Sequence, residues 1–79
     1  MNEVQEFLAA CRNGRSYRKF AADLEENGVA IFYQSLMEWE KGTHLPNLKI
    51  LKLQEPNAKG SAKIFCQSLI NLVEKQKQF

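Results

Sequence analysis

Apolar side chains recur along the chain at intervals of three and four, the period of helices with one buried face. Val4, Phe7, Leu8 and Cys11 form the first stripe and predict an amphipathic helix over residues 2–12. Asn13-Gly14 closes it, glycine being free to take a positive φ. Ser16 is placed to cap a second helix, with Phe20, Ala21 and Leu24 turned inward and Asn27-Gly28 as its stop. A third stripe, Phe32, Leu36 and Trp39 at i, i+4 and i+7, predicts a helix over 32–41 with Trp39 in the core, ended by Gly42. Pro46-Asn47 opens a fourth segment, in which Leu48 and Leu51 face inward and Ile50 and Leu53 are further candidates. Its run Leu-Lys-Ile-Leu-Lys-Leu at 48–53 also fits a short strand. Pro56-Asn57 and Gly60 read as loop. Ser61 then caps a last helix over about 61–76 that carries Ile64, Phe65, Leu69, Leu72 and Val73, with Cys66 and Ile70 widening its face. Five short helices with short connections make the domain all-α.

Seventy-nine residues allow one domain, spanning 1–79, with a small core. The apolar fraction of 44% is ordinary for a globular protein, and no apolar run approaches a membrane span. Met1-Asn2-Glu3 is acidic and lacks the apolar core of a secretory signal, so the cytoplasm is the expected compartment. A net charge of +2 permits nucleic-acid binding without requiring it. The charge is unevenly spread: Arg12, Arg15, Arg18 and Lys19 crowd one stretch and Lys49, Lys52, Lys59 and Lys63 another. Glu25, Glu26, Glu38 and Glu40 fall between. Cys11 and Cys66 belong to no ligand-spaced cluster and His44 is the only histidine, so neither a metal nor a cofactor is expected. No nucleophile–base pair or phosphate-cradling glycine loop is readable either, and an enzyme is not expected.

Between Ser16 and Pro46 the chain resembles the helix-turn-helix core of lambda-repressor/Cro-like DNA-binding proteins. The residues that carry the likeness are Ser16, Phe20-Ala21, Leu24, Gln34-Ser35-Leu36, Trp39-Glu40-Lys41-Gly42 and Pro46. The resemblance implies a lambda-repressor-like bundle of about five helices and sequence-specific binding of double-stranded DNA, as in a repressor-like transcriptional regulator. It implies that Tyr33, Gln34 and Glu38 are the base readers and that Lys41, Thr43 and His44 flank a loop touching the DNA backbone. In some members the glutamate matching Glu40 pairs with an arginine late in the first helix; Ala10 stands at that position here, and Arg12 is the available substitute. The interval from Phe20 to Gly42 is longer than the family's usual spacing, with the excess expected within Glu25 to Ile31. Arg15 and Tyr17 also replace the usual apolar residue and glutamine around the cap.

The helical phase assigns compatible roles. With Phe32, Leu36 and Trp39 inward, Tyr33, Gln34, Met37, Glu38 and Lys41 face out. Glutamine pairs with adenine through two hydrogen bonds in a major groove wide enough for a helix, and Ser35 suits a base or a phosphate. Ser16, Tyr17 and Arg18 begin the second helix, whose free N–H groups favour phosphate. The broad face of Ile64, Phe65, Leu69, Leu72 and Val73 suggests a homodimer seam, or a helix that simply closes the monomer core. The rival functional reading is a module of the same fold for protein contacts, such as an antitoxin-type partner protein.

Overall fold

The computed structural model describes residues 2–76. The elements are α1 (Glu3–Arg12), α2 (Tyr17–Glu26), α3 (Tyr33–Lys41), α4 (Leu48–Gln54), a single 3₁₀ turn at Glu55–Asn57, and α5 (Gly60–Gln76). The described residues contain helices and no strand, as the spacing of apolar positions predicts. None of these helices is long and apolar enough to cross a membrane.

Local chemistry sets most of the boundaries. Asn2 caps α1 rather than joining it: its side chain accepts from the Gln5 backbone N–H at 2.9 Å while Gln5 Oε1 accepts from the Asn2 N–H at 2.9 Å. Asn13 and Gly14 both take positive φ beyond its end. Ser16 caps α2, its hydroxyl accepting from the Lys19 N–H at 3.1 Å. Gly42 closes α3 with φ +83°: its N–H donates to the Trp39 and Glu38 carbonyls, and the Thr43 N–H reaches Glu38 O at 3.1 Å, satisfying carbonyls that a helix end leaves open. Asn47 caps α4 by accepting from Ile50 N–H at 3.2 Å, which settles 48–53 as helix. The last helix begins at Gly60, so Ser61 lies inside it rather than capping it.

α1 packs against α3 and α5, α2 against α3, and α4 against α5. The core is Val4 and Leu8 from α1, Phe20 and Leu24 from α2, Leu36 and Trp39 from α3, Leu51 from α4, and Ala62, Phe65, Cys66, Leu69 and Val73 from α5, joined by Val29 and Ala58. Phe65 stacks on Phe7 with ring centroids 5.8 Å apart and meets Phe20 edge-on at 5.5 Å, so one ring of α5 ties down α1 and α2.

Four further expectations change. Phe32 does not join Leu36 and Trp39 in the core: it is 78% exposed. Helix α3 starts one residue later, and Phe32 is its extended cap, with φ −63° and ψ 139°, so the helical period does not aim its ring. Val29, fully buried, takes the core place ahead of the helix. On α4, Ile50 and Leu53 are exposed, because α5 covers only the side bearing Leu51 and half-buried Leu48. Ala21 is half-buried at the core's edge. The proposed dimer seam is largely spent: Phe65, Leu69 and Val73 are buried and Leu72 packs beside them, which leaves only Ile64, 65% exposed, in water. That face closes the monomer.

The connection between α2 and α3 is tied down at several points. Leu24 O accepts from the Val29 N–H at 2.9 Å, and Asn27 O accepts from Lys59 N–H at 2.9 Å. Gln54 pairs with both backbone groups of Ala30, at 3.3 and 3.2 Å. The connection therefore docks on the α4–α5 junction instead of looping free.

Candidate nucleic-acid interface

The arginine-rich stretch at the end of α1 and start of α2 is mostly neutralised. Arg12 forms a two-pronged pair with Glu40 of α3, Nε to Oε2 and Nη2 to Oε1 at 2.9 Å each. Its remaining prong donates to Arg15 O at 2.7 Å, and its guanidinium lies 4.5 Å from the Tyr17 ring centre. The hydrogen bonds to Glu40 hold the Arg12 pKa above its ordinary value. Arg12 thus supplies the partner for Glu40 that Ala10 lacks. Arg15 donates to Asp23 at 2.7 Å and to the Arg12 and Cys11 carbonyls, tying off the end of α1. Lys19 reaches the other Asp23 oxygen at 2.8 Å. Lys19 and then Arg15 hold the Asp23 carboxyl below the usual range, and Asp23 raises Lys19 in return.

The Arg12–Glu40 pair is only partly exposed, with side chains 24% and 14% accessible, and it bolts α1 to α3. Glu40→Ala is expected to cost about 1.5–3 kcal/mol, the range for hydrogen bonds to charged groups, because it leaves a guanidinium short of its acceptor. Urea unfolding of the variant measures this; a loss under about 0.5 kcal/mol would place the pair with inert surface ion pairs.

Arg18 is the exception. Among the described residues it alone of Arg12, Arg15, Arg18 and Lys19 has no carboxylate partner. Its guanidinium lies 4.6 Å from the Tyr33 ring centre, and its Nη2 donates to the Tyr33 hydroxyl at 3.1 Å. This joins the start of α2 to the start of α3 and leaves a positive group at their shared outer edge. Gln34, next to Tyr33 in sequence, is exposed. Phe32 offers no side-chain cap, so the first N–H groups of α3 remain open to an external acceptor.

Gln34, Glu38 and Lys41 follow at i, i+4 and i+7 along one side of α3, spanning about 10 Å of helix. Glu38 is half-exposed, with His44 Nε2 3.8 Å from its carboxylate. Lys41 is exposed, and Thr43 spends its hydroxyl proton on the Glu38 carbonyl at 3.1 Å. Ser35 is half-buried, and Ser16 remains exposed although its hydroxyl caps α2. Tyr17 is the predicted contact least able to serve, since it packs on the core beneath Arg12. The structure thus gathers Arg18, Tyr33 and Gln34 at one end of α3, and Glu38, Lys41, Thr43 and His44 around the other.

Two features had no sequence signal that singled them out. The Arg18–Tyr33 stack joins residues on different helices, and the spacing of Phe32 matches that of a core position although its ring is exposed. No group of three metal-binding side chains occurs among the described residues. Cys66 is buried and Cys11 half-buried, and burial pushes both thiol pKa values up. Comparison of the chain with protein families, curated proteins and solved structures returns no match.

Proposed function

We propose that this chain is a lambda-repressor-like helix-turn-helix protein that binds double-stranded DNA sequence-specifically, as a repressor-like regulator, with α3 in the major groove. The observation that carries the reading is the Arg18–Tyr33–Gln34 edge. There a guanidinium without a carboxylate partner among the described residues meets a phenol, and the exposed Gln34 follows in the first turn of α3. Gln34 is the reader, suited to two hydrogen bonds with adenine. Arg18 anchors a phosphate, and its stack on Tyr33 fixes it in advance. Lys41 and His44 reach the backbone near the other end of α3. Glu38 sits between as a potential acceptor for a cytosine amino group, at an electrostatic cost near phosphates.

A fluorescence-anisotropy titration at two salt concentrations tests the assignment. Gln34→Ala is expected to cost about 1–3 kcal/mol on the preferred site, chiefly by relaxing base preference. Arg18→Ala weakens all sequences about equally and makes the salt slope shallower by about one unit. Glu38→Gln strengthens non-specific binding by removing a negative charge. Wild-type chain without salt-sensitive affinity for any duplex ends the DNA reading.

A protein-interaction module is the second reading, favoured by the exposure of Leu45, Ile50 and Leu53. Under the DNA reading, pairing of two copies on adjacent half-sites has Ile50 and Leu53 to draw on in place of the spent face of α5.

A further inference from the structure

We infer that Phe32 determines specificity by packing its ring on the 5-methyl group of a thymine in the major groove, an assignment that rests on the DNA reading above. Phe32 is costly where it stands. Its ring is 78% exposed, whereas Phe7, Phe20 and Phe65 pack on one another. It also occupies the N-cap of α3, where serine, threonine, aspartate or asparagine satisfies a free N–H and phenylalanine does not. The backbone there already suits a capping residue: Phe32 has φ −63° and ψ 139°, close to the φ −64° and ψ 158° of Ser16, whose hydroxyl does cap. One position thus forgoes both apolar burial and a helix cap, a double local loss of the kind expected at functional positions.

The surroundings indicate what the ring meets. Gln34, two residues on, is exposed, and Tyr33 between them is held by Arg18. An exposed apolar ring that adjoins the Arg18–Tyr33 pair and Gln34 in sequence suits a groove floor that is mostly hydrogen-bonding base edges. The apolar feature which that floor offers is the thymine methyl group. A phenylalanine ring offers no hydrogen bond, so its selectivity comes from excluding water from that methyl.

The experiment compares wild type with Phe32→Ser on two duplexes. The first is a duplex selected from random sequence by the wild-type chain; the second is the same duplex with deoxyuridine in place of each thymidine, which removes only methyl groups. Wild type is expected to bind the deoxyuridine duplex about fourfold more weakly, the worth of one buried methyl group. Phe32→Ser is expected to bind the two equally. Because serine at this backbone supplies the missing cap, the variant's Tm rises by roughly 2–8 °C as discrimination disappears. A fall in Tm shows the ring packing on the domain and overturns the inference. So does discrimination retained in Phe32→Ser, or equal binding of both duplexes by wild type; either leaves the DNA reading standing. Failure of wild type to bind any duplex in a salt-sensitive way overturns that reading and this inference together.

Discussion

Trp39→Ala is expected to destabilise the domain by about 3–5 kcal/mol, the cost of truncating a large core aromatic. Trp39 is 6% exposed on the buried side of α3, one turn from the fully buried Leu36. The helix that carries it packs against both α1 and α2. A domain of this size has a total stability of only about 4–12 kcal/mol, so the loss is at least about a quarter of the whole. Urea titration followed by far-ultraviolet circular dichroism gives the number. As the sole tryptophan, Trp39 also reports its own burial: native emission is blue-shifted and shielded from quenchers. Emission at the fully exposed wavelength, or a loss below about 1 kcal/mol, contradicts this packing of α3.

Gly28→Ala comes second, with an expected loss of about 2–4 kcal/mol from two causes that add. Gly28 has φ +90°, a conformation unfavourable to any residue with a Cβ. A Cβ there also runs into the Asn57 carbonyl, overlapping its oxygen and standing 3.0 Å from its carbon. The obstacle is backbone and has little room to yield, since Asn27 O and the Lys59 N–H tie the same two segments at 2.9 Å. Gly14→Ala isolates the first cause: Gly14 has φ +79°, but nothing lies within 4 Å of its would-be Cβ. It should lose only about 1–2 kcal/mol. Equal losses at the two glycines, measured by thermal or urea unfolding, would mean that the α2–α3 connection is not docked on Asn57.

Much of this architecture is legible in the sequence because it depends on short-range periodicity. The stripes Val4/Leu8, Phe20/Leu24, Leu36/Trp39 and Phe65/Leu69/Val73 all turn inward as their spacing predicts. The turns at Asn13-Gly14, Asn27-Gly28 and Gly42 fall where the punctuation sets them, since each meets a local need to leave the helical conformation. Ser16 is legible as a cap for the same reason. Of the candidate site, the outward side of α3 follows from helical phase. The partnership of Glu40 with Arg12 follows only from the likeness to a family, until the geometry brings the two side chains together.

Tertiary structure decides what depends on distant segments. Residues 48–53 carry apolar side chains compatible with either period; the Asn47 cap and the packing of Leu51 under α5 make them a helix. Phe32 looked buried because a stripe was extended one residue past the helix start, while Val29, on an irregular segment with no period to reveal it, fills the core. The broad apolar face of α5 reads equally as a seam or a core, and only the arrival of α1 and α2 around Phe65 shows that the monomer uses it. Charge is hidden in the same way. Four cations adjoin in sequence, but which stays available is set by Asp23 and Glu40, reached through folding, so that among the described residues Arg18 is the one of the four without a carboxylate partner. Periodicity fixes which side of an element is apolar; the surface that covers that side, and the partner that meets a charge, belong to residues far away along the chain.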